Sequence, residues 1–381
     1  MSIELTIEKM VPPGNGLGYF RDKAVFVPGT TTGDRVEVSI AREKKRYMLA
    51  DLKQVLSPGP DRIEPACPHY EACGGCSLMH LSYPHQLNLK KRLLIETFAG
   101  IPMKEAPLFI ASPREQRFRY RATVTLEDDI IGFSDKRSHH ITRIEHCRIL
   151  SQGLLDRLPE LLRLGRSYCQ FALLESAATG EISISVSDGK SRTPLPGYAS
   201  MVKEDYGSGL ITLRSDGFAQ SNPYITRIIC EDLLAHASGY DKICELYCGS
   251  GTFSIPLSKQ GHHLEGFDIS KRAIRDATEN AQANGIHHAR FSAVNLEKGL
   301  RFPRCDLIVA DPPRKGLSST ILRQLGKSAC GKMLYLSCDP ASLARDCRCL
   351  ISGHGFQLEQ LTGYDMYPHS THTEALAVLV R

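Results

Sequence analysis

The sequence predicts an α/β fold with a doubly wound, largely parallel sheet, preceded by a small β-barrel and a middle segment of α+β character. Three observations carry this. Residues 216–381 alternate apolar strand-like runs with helical patterns, residues 1–58 are short strand-like runs broken by glycine, and residues 59–215 mix the two.

In the first segment the runs are Ile3–Ile7, Leu17–Phe20, Ala24–Val27, Arg35–Ile40 and Met48–Val55, the pattern of a small antiparallel barrel. Pro58-Gly59-Pro60-Asp61 punctuates its end and sets the first boundary. Between 59 and 215 a helix around Tyr83–Phe98 stands among alternating runs such as Tyr120–Leu126 and Glu181–Val186. From 216 onward Lys242–Tyr247, Leu264–Asp268, Asp306–Ala310 and Met333–Ser337 each lead into a turn and then a helix, as parallel strands covered on both faces require. Gln357–Gly363 and Thr373–Val380 follow, spaced as an antiparallel pair.

A chain of 381 residues, 42% hydrophobic, is long enough for two or three ordinary cores. It contains no uninterrupted apolar stretch near the roughly 18 to 20 residues of a membrane helix, and Met1-Ser2-Ile3-Glu4 opens without a basic region feeding an apolar one. The expectation is a soluble, cytoplasmic protein with no membrane partner and, lacking coiled-coil heptads, a monomer. A net charge of +5 admits a polyanionic partner without requiring one. Thirteen cysteines, odd in number and scattered, speak against a secreted disulfide scaffold and for metal binding or thiol chemistry.

Glu245-Leu-Tyr247-Cys-Gly249-Ser-Gly251-Thr252 sets a glycine-rich turn between strand and helix, where backbone amides approach a ligand closely. Nineteen residues after Gly249, Asp268 ends the second strand, about where an acidic residue hydrogen-bonds ribose hydroxyls. Singly, the glycines make only a tight turn and Asp268 only caps the next helix. With Asn295 after a further strand that precedes Asp306–Ala310, and Asp311 directly after Asp306–Ala310, polar groups line the carboxyl ends of successive strands, the side on which open sheets bind ligands. These residues alone leave open a dinucleotide or a methyl donor.

Leu334-Tyr-Leu-Ser-Cys338-Asp339-Pro340 puts a thiol between an apolar strand and a helix, beside helix-start amides that lower a thiol pKa. Cys169, Cys230, Cys244, Cys305 and Cys330 read instead as small buried hydrophobes, and Cys347 and Cys349 as structural residues of the following helix. Glu374 begins the last strand, whose antiparallel course brings that end toward Cys338; the competing reading is a solvated carboxylate at a strand start.

Asp311-Pro-Pro-Arg-Lys-Gly316, Ser337-Cys338-Asp-Pro-Ala-Ser-Leu-Ala-Arg-Asp346 and Asp365-Met-Tyr-Pro-His-Ser-Thr-His-Thr-Glu374 resemble motifs of the bacterial RNA uracil-5-methyltransferases. The resemblance extends to Phe218-Ala-Gln220-Ser-Asn222-Pro and Asn295-Leu-Glu297, and runs across nearly the whole chain. It implies a Rossmann-like S-adenosylmethionine-dependent methyltransferase domain in which Gln220, Tyr247, Asp268, Asn295 and Asp311 contact the donor or frame the base. Gly249, Gly251 and Thr252 would belong to the same donor site. It further implies that Cys338 attacks and Glu374 is the base.

The chemistry accounts for those residue types: uracil carbon 5 is a poor nucleophile until a thiolate adds at carbon 6 and creates an enolate. Asp311 would then hydrogen-bond the pyrimidine edge, and a stacked uridine would have to leave its stack. Asp268, Thr252 and Asp339 depart from the glutamate, asparagine and asparagine common in the family. Arg314, where amino methyltransferases carry an aromatic residue, and Ser337 before Cys338, where RNA cytosine methyltransferases have a Pro-Cys turn, favour uracil.

Cys67, Cys73 and Cys76 lie within ten residues, and Cys147 offers a fourth thiol from afar, a set that suits an iron–sulfur cluster or zinc. The five-residue gap between Cys67 and Cys73 is wider than usual zinc spacing, and the family resemblance independently implies a 4Fe-4S cluster. His69 and His80 read as surface or hydrogen-bonding histidines.

Residues 1–58 resemble a TRAM domain, an OB-like RNA-binding barrel, with Arg42, Lys44, Lys45 and Arg46 ahead of Tyr47, a run that equally suits a solvated edge. Arg114, Arg117, Arg119 and Arg121, interleaved with Phe118 and Tyr120, form a second candidate RNA surface if alternation puts the arginines on one strand face. TRAM domain and cysteine cluster together resemble the branch acting on 23S rRNA. A tRNA T-loop uridine is the alternative, and a non-enzymatic RNA-binding or ribosome assembly factor, which would need neither Cys338 nor Glu374, is the reading from another class.

Overall fold

The structure, a computed structural model, describes residues 2–136, 138, 140–164, 170–187, 189 and 191–381; Cys169 lies outside the described residues. The first six strands are β1 (Ser2–Thr6), β2 (Lys9–Val11), β3 (Asn15–Phe20), β4 (Lys23–Val27), β5 (Arg35–Glu43) and β6 (Tyr47–Ser57). They form one sheet in the order β1-β5-β6-β4-β3-β2, antiparallel except where β4 runs parallel to β6. Alternation along the strands turns Ile3, Leu5, Val25, Val27, Val36 and Val38 into one core. The sheet curls tightly enough that a Cβ at Gly18 would stand 2.5 Å from the Thr6 carbonyl oxygen, so β3 needs glycine there.

Asp34, fully buried, fastens this sheet to the chain that leaves it: Arg62 pairs with it at 2.7 Å and the Gly59 amide donates to it at 2.8 Å. Burial alone would raise the Asp34 pKa, but the Arg62 guanidinium and the amides of Gly59 and Thr31 hold it below the ordinary value.

The middle segment contains α1 (Tyr83–Thr97), β7 (Leu108–Ile110), β8 (Arg121–Glu127), β9 (Ile130–Ser134), β10 (Ile141–Arg143), α2 (Gln152–Leu155) and α3 (Leu158–Leu162). It continues with β11 (Gln170–Glu175), β12 (Ile182–Ser187), β13 (Arg192–Pro194), β14 (Val202–Asp205) and β15 (Leu210–Leu213). β10-β9-β8-β11-β12-β13 make a second sheet, whose inner residues Val124, Phe171, Leu173 and Ile184 pack on Leu154, Leu158 and Leu161 of the two short helices.

The final region holds α4 (Pro223–Ala237), β16 (Lys242–Leu246), α5 (Ser254–Lys259), β17 (His263–Asp268), α6 (Lys271–Ala283) and β18 (Ala289–Ala293). β19 (Leu307–Ala310), α7 (Ser319–Lys327), β20 (Lys332–Ser337), α8 (Pro340–His354), β21 (Gln357–Tyr364) and β22 (Glu374–Val380) complete it. The eight-stranded sheet runs β18-β17-β16-β19-β20-β22-β21-β7, so β7 of the middle segment supplies one edge. Successive residues pack into opposite layers: Cys244, Leu246, Ile308, Ala310 and Tyr335 on one face, Ile243, Leu307, Val309, Leu334 and Leu336 on the other. β16 is followed in sequence by β17 and β18 on one side and by β19 and β20 on the other, which makes the β16/β19 gap a topological switch point. Among the described residues no helix is long and apolar enough to cross a membrane.

Candidate active site

Strand register assembles the site at the carboxyl ends of this sheet. β16 pairs Leu246 with Phe267 and with Ala310, so the next residues outward, Tyr247, Asp268 and Asp311, emerge side by side. β20 pairs Ser337 with Ala375 of the antiparallel β22, and one step outward Cys338 meets Glu374. A cavity of about 780 Å³ opens there, lined by Gln220, Tyr247, Gly249, Asp268, Asn295, Asp311, Cys338 and Glu374 among others. Gly251 and Thr252 are not in the lining: Gly251, at φ 91°, turns the chain, and Thr252 is buried behind it.

The glycine turn is anchored from below and from the side. Ser254, first residue of α5, donates to Glu245, whose pKa burial pushes up to about 8. Asp268 accepts from the Gly249 amide at 3.1 Å and from the Ser270 amide at 2.8 Å. It thus stiffens the turn and also faces the cavity, whereas the cap of α6 is not Asp268 but Ser270, whose side chain accepts from the Ala273 amide at 3.2 Å. Asn295 likewise accepts from the Glu297 amide at 3.0 Å while it lines the cavity. Tyr247, at φ 62°, keeps a buried hydroxyl without a protein partner.

Cys338 is half-buried, one residue before the α8 cap Asp339. The expectation of a thiol pKa lowered by helix-start amides fails. The Ser342 amide is taken by the Asp339 carboxylate at 2.7 Å and the Asp339 amide by the Ser337 hydroxyl at 3.2 Å. Burial, then the charges of Glu374 and Asp311, push the thiol up to about 11, while Arg314, hydrogen-bonded to it, opposes them. Glu374 is 3% exposed, which removes the solvated-carboxylate reading, and its Oε1 has no partner. Burial and the neighbouring Asp311 hold its pKa well above the ordinary value; burial raises Asp311, which keeps partial exposure to the cavity, to about 7. An ionised Asp311 thus disfavours, without forbidding, ionisation of Glu374.

Arg314, Tyr367 and His372 also line the cavity, with the Tyr367 and His372 rings in edge contact at 5.9 Å. Sequence reasoning gave none of them a role in the site, although Arg314 stands three residues after Asp311 and His372 two before Glu374.

Cys67, Cys73, Cys76 and Cys147, all free thiols, line one second cavity with Tyr70, Met79, Phe133 and Ile149. Among the described residues no group of three or more His, Cys, Asp and Glu side chains is spaced to hold a single metal ion. His69 sits on the rim of this cavity, whereas His80 is fully buried between the Tyr70 hydroxyl and the Thr30 carbonyl. Of the other cysteines, Cys230, Cys244, Cys330 and Cys347 are buried as expected, but Cys305 is partly open and Cys349, on the outer side of α8, is exposed.

The arginine patch is corrected. Only Arg121 lies in a strand, because the preceding chain is a loop stitched to residues 148–151. Arg117 donates to the carbonyls of Cys147 and Leu150, Arg119 and Arg121 to those of Arg121 and Gly217, and Phe118 is 1% exposed. These side chains hold the loop in place and leave no alternating face of stacking rings. Arg42, Lys45 and Arg46, by contrast, are exposed at the β5–β6 turn.

Comparison with known proteins gives the same direction. The profile of the tRNA (uracil-5-)-methyltransferases matches residues 211–381 and that of the TRAM domain residues 2–53. An uncharacterized RNA methyltransferase of Aquifex aeolicus is 30% identical, over 99% of this chain and 98% of its own. The 23S rRNA (uracil(1939)-C(5))-methyltransferase RlmD of Vibrio cholerae is 30% identical, over 99% of this chain and 95% of its own. The fold is that of the Pyrococcus abyssi tRNA (uracil-54, C5)-methyltransferase, solved with S-adenosyl-L-homocysteine: TM-score 0.81, 23% identity, 99% of this chain and 100% of that one. The chain, with its N-terminal TRAM domain and methyltransferase fold, belongs to the RNA uracil-5-methyltransferase family.

Proposed function

We propose that this enzyme transfers a methyl group from S-adenosylmethionine to carbon 5 of a uridine in 23S rRNA through a covalent adduct of Cys338 with uracil carbon 6. The observation that carries this reading is that a nucleophile, a buried carboxylate and a hydrogen-bonding carboxyl, Cys338, Glu374 and Asp311, line the same cavity as Tyr247, Asp268 and Asn295. The donor would be held on the switch-point side of the cavity by Gln220, Tyr247, Gly249, Asp268 and Asn295.

When bound, S-adenosylmethionine supplies the methyl group. Cys338 loses its proton to solvent water in the open cavity, a step the Arg314 guanidinium favours, and its sulfur bonds to carbon 6 while the carbon 5–carbon 6 electron pair moves onto carbon 5 and the O4 enolate. Asp311, ionised, accepts from the uracil N3–H, a donor that cytosine lacks. After methylation Glu374 takes the proton of carbon 5, the double bond re-forms, and the thiolate leaves.

The Vibrio relatives named for 23S rRNA support that target. The family profile named for tRNA supports a T-loop uridine as the second reading. Mapping 5-methyluridine in RNA from cells lacking the gene decides between them. One 23S position is expected to lose the mark; loss in tRNA instead selects the second reading, and an unchanged map contradicts both.

We further propose three units, residues 1–58 for RNA binding, 59–215 around the cysteines and 216–381 for catalysis, in a cytoplasmic monomer. Cys67, Cys73, Cys76 and Cys147 would hold a 4Fe-4S cluster: four soft thiol donors and apolar walls fit such a group, and its four irons set the sulfurs farther apart than one ion does. Anaerobically purified protein is expected to carry about four irons per chain with broad visible absorbance. A Cys76→Ser variant should lose both; stoichiometric zinc in the wild type would contradict the assignment.

A further inference from the structure

We propose that Lys90 is a positioning residue for methyl transfer: through Asp365 it fixes the strap of residues 365–373 that delivers Glu374 to Cys338. The proposal rests on the reaction proposed above.

Lys90, Gln86 and Tyr83 lie on one face of α1, at spacings of four and three residues. All three grip the strap. The Lys90 ammonium and the Asp365 carboxylate form an ion pair with both side chains at 0% exposure, and the same ammonium donates to the Tyr367 carbonyl at 2.9 Å. The Tyr83 hydroxyl donates to the second Asp365 oxygen at 2.8 Å. Gln86 bonds the ring of His369 at 3.1 Å and accepts from its amide at 2.9 Å, holding that residue at φ 64°.

The far side of the strap is held as well. The His369 carbonyl accepts from the amides of Ser77 and Leu78, next to Cys76, at 2.8 and 2.9 Å. Between these anchors the strap presents Tyr367 and His372 to the cavity, and its end is Glu374. Burying a charged pair is a poor way to gain stability, since apolar residues of similar volume do as well or better. What the pair adds is direction. Two charges and a forked set of hydrogen bonds admit one orientation of residues 365–367, and hence one path of chain to Glu374.

The test uses Lys90→Met and the double variant Lys90→Met/Asp365→Leu. Each is assayed with labelled S-adenosylmethionine and unmodified RNA from cells lacking the gene, at a temperature where circular dichroism finds it folded. The quantity read is covalent enzyme–RNA adduct surviving denaturation, divided by the rate of product formation. Loss of folded enzyme lowers both terms alike and leaves the quotient unchanged. A displaced Glu374 slows only the proton removal that frees the adduct.

The quotient is therefore expected to rise about tenfold in both variants, as a base moved by a fraction of an ångström implies, with the KM for S-adenosylmethionine little changed. The double variant, which leaves no lone buried charge, is expected to recover thermal stability but not the wild-type quotient. A wild-type quotient in Lys90→Met overturns the proposal, as does recovery of activity together with stability in the double variant. If the wild-type enzyme forms neither adduct nor product on this RNA, the underlying reaction fails and the inference with it.

Discussion

Cys338→Ala is expected to abolish methyl transfer, a loss of about 10⁴-fold or more, because the enolate at carbon 5 exists only while sulfur is bonded at carbon 6. No second thiol can substitute: Cys248, between the lining residues Tyr247 and Gly249, is buried and does not itself line the cavity. Donor binding should survive, since the turn at Gly249 and the Asp268 carboxylate lie on other strands. Calorimetric titration with S-adenosylhomocysteine checks that point. The wild-type rate should also rise from pH 6 to pH 9. Asp311, raised to about 7, is neutral below that value and cannot accept from N3–H, and the thiol, raised to about 11, yields more thiolate with each step upward. A flat profile with chemistry rate-limiting would contradict that assignment.

Glu374→Gln is expected to form the adduct and stall, lowering kcat by about 10³-fold, within the range for loss of a general base. The swap is nearly isosteric in a fully buried position, and it removes a group whose charged form burial disfavours. The fold should therefore persist, and methylated RNA bound to protein should be visible on a denaturing gel. Unchanged turnover would remove Glu374 from the proton step.

Much of this arrangement was legible in the sequence because it depends on short-range pattern. Strand ends at Tyr247, Asp268, Asp311 and Cys338 follow from apolar runs that stop at polar residues, and parallel pairing then aligns those ends without further information. Glu374 could be brought toward Cys338 because the last strand had to be antiparallel. What stayed hidden depends on contacts between distant segments. The Lys90–Asp365 pair joins residues 275 apart in sequence, and nothing local marks Lys90 as buried in a helix that is otherwise ordinary. The arginines from 114 to 121 looked alike in sequence. They differ only once the folded loop, with Arg117 at φ 53°, directs the guanidiniums of Arg117 and Arg121 to carbonyls of other segments and that of Arg114 over the Tyr224 ring. The Cys338 pKa departs from the sequence expectation for a similar reason: the helix start is visible in Asp339-Pro340, but the occupation of its amides is not.

The central claim is a transient carbon–sulfur bond between Cys338 and the target pyrimidine, and the most direct measurement is trapping on RNA carrying 5-fluorouridine. Fluorine in place of hydrogen leaves Glu374 no proton to remove, so the methylated adduct cannot resolve. With S-adenosylmethionine present, a stable one-to-one protein–RNA complex is predicted, with mass spectrometry locating the link on the peptide containing Cys338 and no complex from Cys338→Ala. Active turnover on natural RNA with no trapped complex on the fluorinated strand, or a link to any other residue, would contradict it.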